Sequence, residues 1–444
     1  MRKTLFLFLL FLGFNTLKAY YKIYPGKRPK SAIDKLKFGV VADMKNIPQN
    51  PEYYAKQLKP MPRGIQLEYD KKYNEKYFKP WEQNSLSIPT KEIVWVVDFL
   101  KRKKLYTRNG TLITPSLYTP WIENANFQAL NTLGAKAITV RHTNLRALPT
   151  EVGVYKKSNK GTEGFPFDYF QNSELHLNVP LFVSHLSKDK KWAFVEAGHV
   201  AGWVKVKDIA FTTPKFMKAF KSGKYRVTII DDLWLIDENM QKVTLLKLGT
   251  IFPLDISQKW LLSVRRSKDG YALLTRVRPP SKAIIAPKPV PFREYYVAKV
   301  AKELYNEPYG WGGKMQTRDC SAFTRDFFTP FGIFLERNSA EQVKAGREVI
   351  NIKNLPPEEK KVTILKYAKP FESLLYVPGH ITLYLGNYNG EPIIMHSYWG
   401  VRLNNWSKFP LSRTVITTTH PGDELPNIRK KSELINTLQK IVNF

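Results

Sequence analysis

The chain has 444 residues, with 70 Lys or Arg against 38 Asp or Glu, so its formal net charge is +32. This length exceeds what one hydrophobic core usually serves, and 13% aromatic residues exclude a chain that is disordered throughout. A single cysteine excludes an internal disulfide and a zinc site built from cysteine pairs. We therefore expect several folded units, with neither a metal nor a cofactor.

The first residues have the three parts of a secretory signal. Arg2 and Lys3 precede an apolar run at 5–14, and the small residue Ala19 offers a cleavage point. No later stretch reaches the roughly 20 apolar residues that a membrane-spanning helix needs. We predict a signal peptide at 1–19, a secreted or periplasmic protein, and no transmembrane segment in the mature chain. A membrane anchor is the alternative interpretation of the same run.

The next units differ in their hydrophobic patterns. Residues 20–130 predict an N-terminal segment that wraps around other units, with one helix near 91–103. Short apolar runs separated by turn residues predict a small β-barrel at 131–217 and a second barrel of similar size at 218–280. The prolines at 279–289 then predict an extended linker, because proline fixes its own φ and restricts the residue before it. The last domain is expected at 281–444.

The pattern becomes helical in the last domain. Apolar residues at three- and four-residue steps from Val297 to Leu304 predict the buried face of a helix. A glycine-rich stretch at 309–313 interrupts it, and a second helix is expected from about Asp319 to Phe328. Asp319 is then the predicted N-cap, whose side chain accepts hydrogen bonds from unpaired helix amides.

The only cysteine, Cys320, falls in the first turn of this second helix. Unpaired amides and the helix dipole favour negative charge there, so we expect a depressed thiol pKa and a nucleophile. The alternative is a small buried apolar side chain, which is what most free cysteines are.

A nucleophilic thiol needs a base, and two histidines fall in one predicted hairpin. His380 lies at the start of the first strand and His396 on the returning strand, with the turn at 389–390. A three-residue loop or a bulge places both imidazoles on one face as diagonal neighbours, with Cα atoms about 7–8 Å apart. A strict two-residue turn places them on opposite faces. The alternative for each histidine is a buried core residue with satisfied hydrogen bonds.

Five segments of the last domain form one set, at 309–313, 319–321, 335–342, 378–386 and 395–396. Together they closely resemble the NlpC-type cell-wall cysteine peptidases. The resemblance extends upstream, because 53–58 and 78–81 are similar to the N-terminal stabilising segment of one subfamily. The two β-rich stretches are similar to its paired bacterial SH3-like domains.

The resemblance implies a multidomain fold class: an α+β papain-like C-terminal peptidase domain preceded by two small SH3-like β-barrels and the N-terminal wrapping segment. It implies Cys320 as nucleophile, His380 as base and His396 as the residue that orients the base. For substrate binding it implies that Asp319, Ser321 and Ser339 bind the amino end of the ligand. Tyr309 marks the position of a candidate donor to the developing oxyanion. Glu336 departs from the family pattern, which more often has proline there.

The implied reaction is hydrolysis of the γ-D-glutamyl-L-diamino acid bond in peptidoglycan stem peptides. The expected partners are peptidoglycan or released muropeptides. The basic surface attracts polyanions in general, but export disfavours nucleic acid. Two alternatives remain: a peptidoglycan-binding module whose peptidase fold is inactive or regulatory, and an acyltransferase that uses the same thiol.

Overall fold

The computed structural model describes residues 20–36, 38–157 and 164–444. The predicted signal peptide at 1–19, and the membrane anchor that is its alternative, lie outside the described residues. Within the described ranges, no helix combines the length and apolar character needed to cross a membrane.

The N-terminal segment begins with strand β1 (Tyr20–Pro25) and continues as helices. They are α1 (Asp43–Asn46), α2 (Pro51–Ala55), α3 (Arg63–Phe78), α4 (Thr90–Arg102) and α5 (Pro115–Asn124). Helix α4 confirms the helix predicted near 91–103. Its buried residues Ile93, Val96 and Leu100 recur at three- and four-residue steps, so one face packs inward.

Helix α3 connects this segment to the rest of the molecule. Tyr69, Tyr73 and Tyr77 are buried and four residues apart, so they lie on one face of the helix. The hydroxyl of Tyr77 donates to the carbonyl of Asn178 at 2.8 Å, and the buried Lys288 ammonium pairs with Asp70. The segment is therefore held to later units by a hydrogen bond and an ion pair.

The next unit is an antiparallel sheet with seven strands in the described chain. They are β2 (Ala135–Thr139), β3 (Thr143–Arg146), β4 (Gln171–Leu175), β5 (Pro180–Leu186), β6 (Trp192–Glu196), β7 (Ala201–Lys205) and β8 (Ile209–Phe211). Their order is β4-β3-β7-β6-β5-β2-β8. Helix α6 (Pro214–Phe220) follows. These strands lie within the predicted first barrel, and we call this sheet the first β-unit.

A second β-unit follows, in two sheets of described strands. The strands are β9 (Tyr225–Thr228), β10 (Leu233–Ile236), β11 (Lys242–Leu246), β12 (Ile251–Pro253), β13 (Leu261–Arg266), β14 (Ala272–Val277) and β15 (Ile285–Pro287). The orders are β11-β10-β1-β14-β13 and β12-β9-β15. Strand β1 thus lies inside a sheet of this unit.

Two features of this unit differ from the sequence prediction. Strand β1 belongs to the sheet because Tyr21 and Ile23 alternate inward and are buried. Strand β15 pairs with β9, although its residues 285–287 were predicted as linker. It is an edge strand, where Pro287 removes no hydrogen bond that a central strand would need.

The C-terminal domain packs helices against one antiparallel sheet. Its elements are α7 (Glu294–Leu304), α8 (Cys320–Phe328), α9 (Ser339–Gln342), β16 (Glu348–Asn351), α10 (Pro357–Tyr367), β17 (Ser373–Val377), β18 (His380–Tyr388), β19 (Glu391–Arg402), β20 (Lys408–Thr417), α11 (Leu434–Thr437) and β21 (Lys440–Asn443). The strand order is β16-β21-β17-β18-β19-β20. Helix α8 packs on β18 and β19, with Phe323 and Phe327 fully buried.

Candidate active site

Cys320 is the first residue of α8, as the sequence predicted. Asp319 is the N-cap, and its side chain accepts a hydrogen bond from the Ala322 amide at 2.9 Å. The backbone amide of Ile381, the residue after His380, lies near enough to the Cys320 sulfur to favour the charged form of the thiol. The start of α8 therefore lies against the start of β18, and the half-buried thiol lies beside the backbone that carries the proposed base.

The expectation of a depressed thiol pKa is wrong. Burial, with the negative charge of Asp319, raises the pKa of Cys320 to about 12. The amides of Ile381 and Ser321 and the charge of Arg337 act in the opposite direction, but they do not outweigh burial. The resting sulfur is therefore a neutral thiol, which has to lose its proton during attack.

The two histidines are on one face because the hairpin has a tight turn followed by a bulge. The turn is the two-residue kind, with Asn389 at φ 51° and Gly390 at φ 77°. The register shifts between Tyr384 and Gly386, where β18 contains one extra residue. Beyond the bulge Leu383 pairs with Met395, which is the register that brings His380 and His396 together.

A chain of hydrogen bonds fixes the protons of the histidine pair. The hydroxyl of Thr417 donates its proton to the Thr418 carbonyl at 2.8 Å. The same hydroxyl lies 3.1 Å from His396 Nε2, and because its proton is already used it accepts a hydrogen bond there. His396 therefore carries its proton on Nε2, and its Nδ1 accepts from His380 Nε2 at 2.9 Å. His380 Nδ1 is then the unprotonated nitrogen, available as a base.

Burial keeps both imidazoles neutral. Burial, with a smaller contribution from the charge of Lys408, lowers the pKa of His380 to about 3. Burial and the neighbouring His380 lower the pKa of His396 well below its ordinary value. The ring of Tyr398 stacks on His396, with centroids 4.7 Å apart. A neutral thiol and a neutral, oriented imidazole form a general-base pair.

Asp319 is already heavily bonded. It accepts from Arg337 at 2.6 and 3.2 Å and from the Gly312 amide at 3.0 Å, besides its capping bond. Burial raises the pKa of Asp319, but the charge and hydrogen bonds of Arg337 outweigh this effect and lower it overall. Ser321 lies in the same group, since its hydroxyl accepts from Arg337 at 2.7 Å. The carboxylate is thus ionised and fixed in position.

The other two predicted binding residues lie in different surroundings. Tyr309 is buried, and its hydroxyl is near enough to Asp319 and Cys320 for their charges, after burial, to raise its pKa well above its ordinary value. It therefore stays protonated as a hydrogen-bond donor. Ser339 is the first residue of α9, is half-buried, and its hydroxyl makes no hydrogen bond to another described residue.

The first β-unit borders this site. The amide of Gln171 in β4 donates to the carbonyl of Gly312 at 3.3 Å, and the hydroxyl of Ser173 accepts from Arg337 at 3.0 Å. Phe167, just before β4, packs on Trp399 and Tyr309 with ring centroids 5.0 and 6.2 Å apart. A unit outside the C-terminal domain thus contacts Gly312, Arg337 and Tyr309, which surround Asp319.

Sequence reasoning missed two supporting residues. Thr417, fully buried in β20, gave no signal beyond a run of threonines. Arg318 precedes Asp319, and its guanidinium bonds Asp231, Glu307 and Asp326 at 2.7–3.0 Å. This ionic cluster ties the second β-unit to the start of α8, and an arginine next to the cysteine motif was the signal that could have shown it.

Comparison with known families matches three parts of the chain. Residues 306–416 match the NlpC/P60 family, residues 4–129 match the NLPC_P60 N-terminal stabilising domain, and residues 154–205 match the SH3 domain of the SH3b1 type. The SH3 match lies within the first β-unit. The predicted multidomain class, with an α+β papain-like C-terminal domain, is confirmed, while the domain boundaries and the second barrel stay predictions.

Individual proteins give the same result. The chain is 34% identical over 109 residues to peptidoglycan endopeptidase RipB of Mycobacterium tuberculosis, strains H37Rv and CDC 1551, a match over 21% of this chain and 39% of RipB. The fold resembles the solved structure of an NlpC/P60 endopeptidase from Photobacterium damselae subsp. piscicida, with a TM-score of 0.81 and 22% identity over 92% of this chain and 99% of that one. Residues 306–416 thus match the NlpC/P60 family, and the parts before them match that family's N-terminal stabilising domain and an SH3 domain.

Proposed function

We propose that the protein is a cysteine endopeptidase that hydrolyses the γ-D-glutamyl-L-diamino acid bond of peptidoglycan stem peptides. The observation that carries this proposal is the neutral Cys320 thiol beside the start of β18, where His380 is oriented by a 2.9 Å bond to His396. The NlpC/P60 match at 306–416 and the likeness to RipB, named a peptidoglycan endopeptidase, support the same reaction.

The mechanism begins with proton transfer from the thiol to His380 Nδ1. Cys320 Sγ then forms a bond to the scissile carbonyl carbon, and the carbonyl electrons move to oxygen. The first amide of α8 and the hydroxyl of Tyr309 are the candidate donors to this oxyanion. When the C–N bond breaks, the imidazolium gives its proton to the leaving amine. Water then attacks the thioester, gives a proton to His380 and releases the acid, and the thiol regains its proton.

We further propose that the site selects peptides with a free amino end. The ionised Asp319, with Ser321 beside it and Ser339 unbonded, provides acceptors for an alkylammonium group. The first β-unit bonds Arg337 and Gly312 next to these residues, which leaves less room for a chain that continues than for one that ends there. Released fragments with an exposed L-alanine amine therefore suit the site better than intact sacculus.

Digestion of purified muropeptides tests the proposed reaction. The wild-type protein should release the L-Ala-γ-D-Glu dipeptide, read by mass spectrometry, and Cys320→Ala should release none. Binding without cleavage at pH 5 to 9 would instead favour the peptidoglycan-binding module. Products carrying an added amine in place of water would favour the acyltransferase.

A blocked substrate tests the amino-end selection. Acetylation of the L-alanine amine in an L-Ala-γ-D-Glu-diamino acid tripeptide removes the charge that Asp319 would bind, so we predict at least about a tenfold lower kcat/KM. Steady-state rates for the free and acetylated peptides measure this. Equal rates would contradict a role of Asp319 in substrate binding, so that its remaining roles would be to cap α8 and to pair with Arg337.

We also propose export, on the pattern at 1–19. N-terminal sequencing of the protein from its native host should begin at or near Tyr20, outside the cytoplasmic membrane. A mature chain that begins at residue 1 would support the anchor instead.

A further inference from the structure

A tyrosine ring lies against both histidines of the site. Tyr398 is two residues beyond His396 on β19, so the two side chains lie on one face of the sheet. Its ring stacks on His396 with centroids 4.7 Å apart and 17° between the planes, and it contacts His380 at 5.1 Å and 40°. The centroids of His380 and His396 are 5.2 Å apart. The three rings therefore form one group, in which each ring contacts the other two.

The ring of Tyr398 is held in place by apolar packing. It packs against two buried clusters, one that contains Ile364 and Ile394 and one that contains Val401 and Val415. Its hydroxyl makes no hydrogen bond to another described residue, and burial raises the pKa of this hydroxyl above its ordinary value, so it stays protonated. The tyrosine therefore presents a neutral, fixed aromatic ring to the histidines.

The proposed reaction creates a positive charge beside this ring. His380 becomes an imidazolium when it takes the thiol proton, and its hydrogen-bond partner His396 is a neutral ring instead of a carboxylate. The charge of Lys408 opposes a positive charge on His380. The charge of Asp319 favours it, but this carboxylate is already paired with Arg337. Because burial penalises the charged form, the imidazolium needs a further stabilising group.

We propose that Tyr398 is a positioning residue that stabilises the His380 imidazolium through the face of its ring and keeps the histidine pair oriented for proton transfer. An aromatic face attracts a cation that lies within about 6 Å of the ring centroid, and both imidazoles lie within this distance. The attraction is stronger where water is excluded.

This attraction matters after the thiol has reacted. The negative charge of the Cys320 sulfur disappears when sulfur bonds to the carbonyl carbon, whereas His380 keeps the proton until the leaving amine takes it. The ring of Tyr398 can stabilise the imidazolium throughout this interval. The inference rests on the proposed function and adds a residue that acts through the base, without contact with the substrate.

A series of fluorinated rings at position 398 tests this proposal. Phenylalanine and its 4-fluoro, 3,5-difluoro and 3,4,5-trifluoro derivatives have nearly the same size, while each fluorine weakens the attraction of the ring face for a cation. Single-turnover formation of the acyl-enzyme from the L-Ala-γ-D-Glu-diamino acid tripeptide measures the step in which the imidazolium forms. Tyr398→Phe should match the wild type, because the hydroxyl is unbonded. The trifluoro ring should lower the rate about tenfold, with intermediate rates for the other two.

Two controls separate this role from packing and from substrate binding. Calorimetry with the same rings in the Cys320→Ala background should show constant affinity for the tripeptide. Tyr388→Leu removes another ring of the hairpin, which contacts Tyr53 and lies at the opposite end of β18 from His380. This variant should keep the wild-type rate of acylation.

The outcomes distinguish this inference from the proposed function. A rate that stays constant or increases with the number of fluorines, in a protein that cleaves the tripeptide, would overturn the role of Tyr398 and leave the endopeptidase intact. If the wild type cleaves no stem peptide, the proposed function falls, and the role of Tyr398 falls with it.

Discussion

Thr417 determines which nitrogen of His380 is free, through His396. The Thr417→Val substitution removes this hydroxyl and leaves the His396 Nε2–H buried without an acceptor. This loss lowers the stability of the folded protein by about 1.5 kcal/mol and weakens the preference of His396 for one tautomer. We predict a kcat/KM about tenfold lower, with Thr417→Ser close to wild type because it keeps the hydroxyl.

Nitrogen-15 NMR of the histidine rings checks the cause. The wild type and Thr417→Ser should show His396 protonated on Nε2 and His380 on Nε2. A Thr417→Val variant with the same tautomers but low activity would mean that Thr417 acts through packing alone.

The neutral thiol of Cys320 predicts how its reactivity depends on pH. Because burial raises the pKa of Cys320 to about 12, the thiolate fraction increases about tenfold per pH unit throughout the accessible range. We predict that alkylation by iodoacetamide keeps accelerating from pH 6 to 10, measured by mass spectrometry of the modified protein. A rate that levels off above pH 6 would show a thiolate–imidazolium pair at rest.

The sequence placed Cys320 at a helix start and two histidines in one hairpin, but it did not reveal their ionisation. A cysteine after an N-cap aspartate is visible in the chain, and the position predicts a helix start. Burial of Cys320 where α8 packs on β18 is a tertiary property, and it outweighs the effect of the helix start on the thiol pKa. The Thr417 hydroxyl likewise matters only because β20 brings it against His396.

At the scale of the element, the β18–β19 hairpin shows what turn chemistry can predict. Asn389 and Gly390 correctly indicated a two-residue turn, which by itself separates the two histidines. The bulge that reunites them falls at Gly386, whose φ of 126° suits glycine and whose added Cβ would meet Gln57 Oε1 at 2.4 Å. Glycine inside a strand is a recognised sign of a bulge, so the geometry was partly present in the sequence.

The turn that holds the first β-unit against the site depends on Gly312. Its φ is 64°, and a Cβ there would lie 2.5 Å from the backbone oxygen of Gln171. We predict that Gly312→Ala destabilises the protein by about 3 kcal/mol or more, because both the backbone and the contact between units are strained.

Gly390→Ala is the matched control. It has a similar φ of 77° with nothing within 4 Å of the added Cβ, so it should cost only about 1 kcal/mol. Urea denaturation of both variants measures the difference. Equal losses would mean that the Gln171 contact adapts without cost.

At the scale of the whole molecule, units distant in sequence share sheets and buried charges. The strand at 20–25 completes a sheet of the second β-unit, and Arg318 bonds residues of both that unit and the C-terminal domain. The alternation of buried and exposed residues in β1 is too short to predict a strand from the sequence. Its partner strands β10 and β14 lie more than 200 residues away along the chain. Long-range pairing of this kind is decided by packing, which a pattern in one segment does not reveal.

Buried histidines make the assembly sensitive to acid. Where the first β-unit meets α8, burial lowers the pKa of His176 to about 3 and that of His199 well below its ordinary value. The unfolded chain binds protons near pH 6.5 while the folded chain does not, so stability is complete above that pH and falls below it. Below pH 6.5, each of these histidines lowers the free energy of unfolding by about 1.4 kcal/mol per pH unit, until the pH reaches its pKa in the folded protein.

We predict that the urea midpoint of unfolding decreases as the pH is lowered from 7 to 5. In His176→Gln, the free energy of unfolding should depend on pH with a slope that is smaller by about one proton. The slope of the free energy of unfolding against pH measures this, independently of any constant loss that the substitution causes. An unchanged slope in His176→Gln would show that this histidine is already protonated in the folded protein.

The most direct test of the account is the intact mass of the protein during turnover. Rapid acid quenching of the wild type with L-Ala-γ-D-Glu-diaminopimelate should show a covalent adduct whose mass equals the L-alanyl-γ-D-glutamyl acyl group, mapped to Cys320 and absent from Cys320→Ser. Hydrolysis of the peptide at the same rate by Cys320→Ser, with no adduct on the wild type, would contradict it.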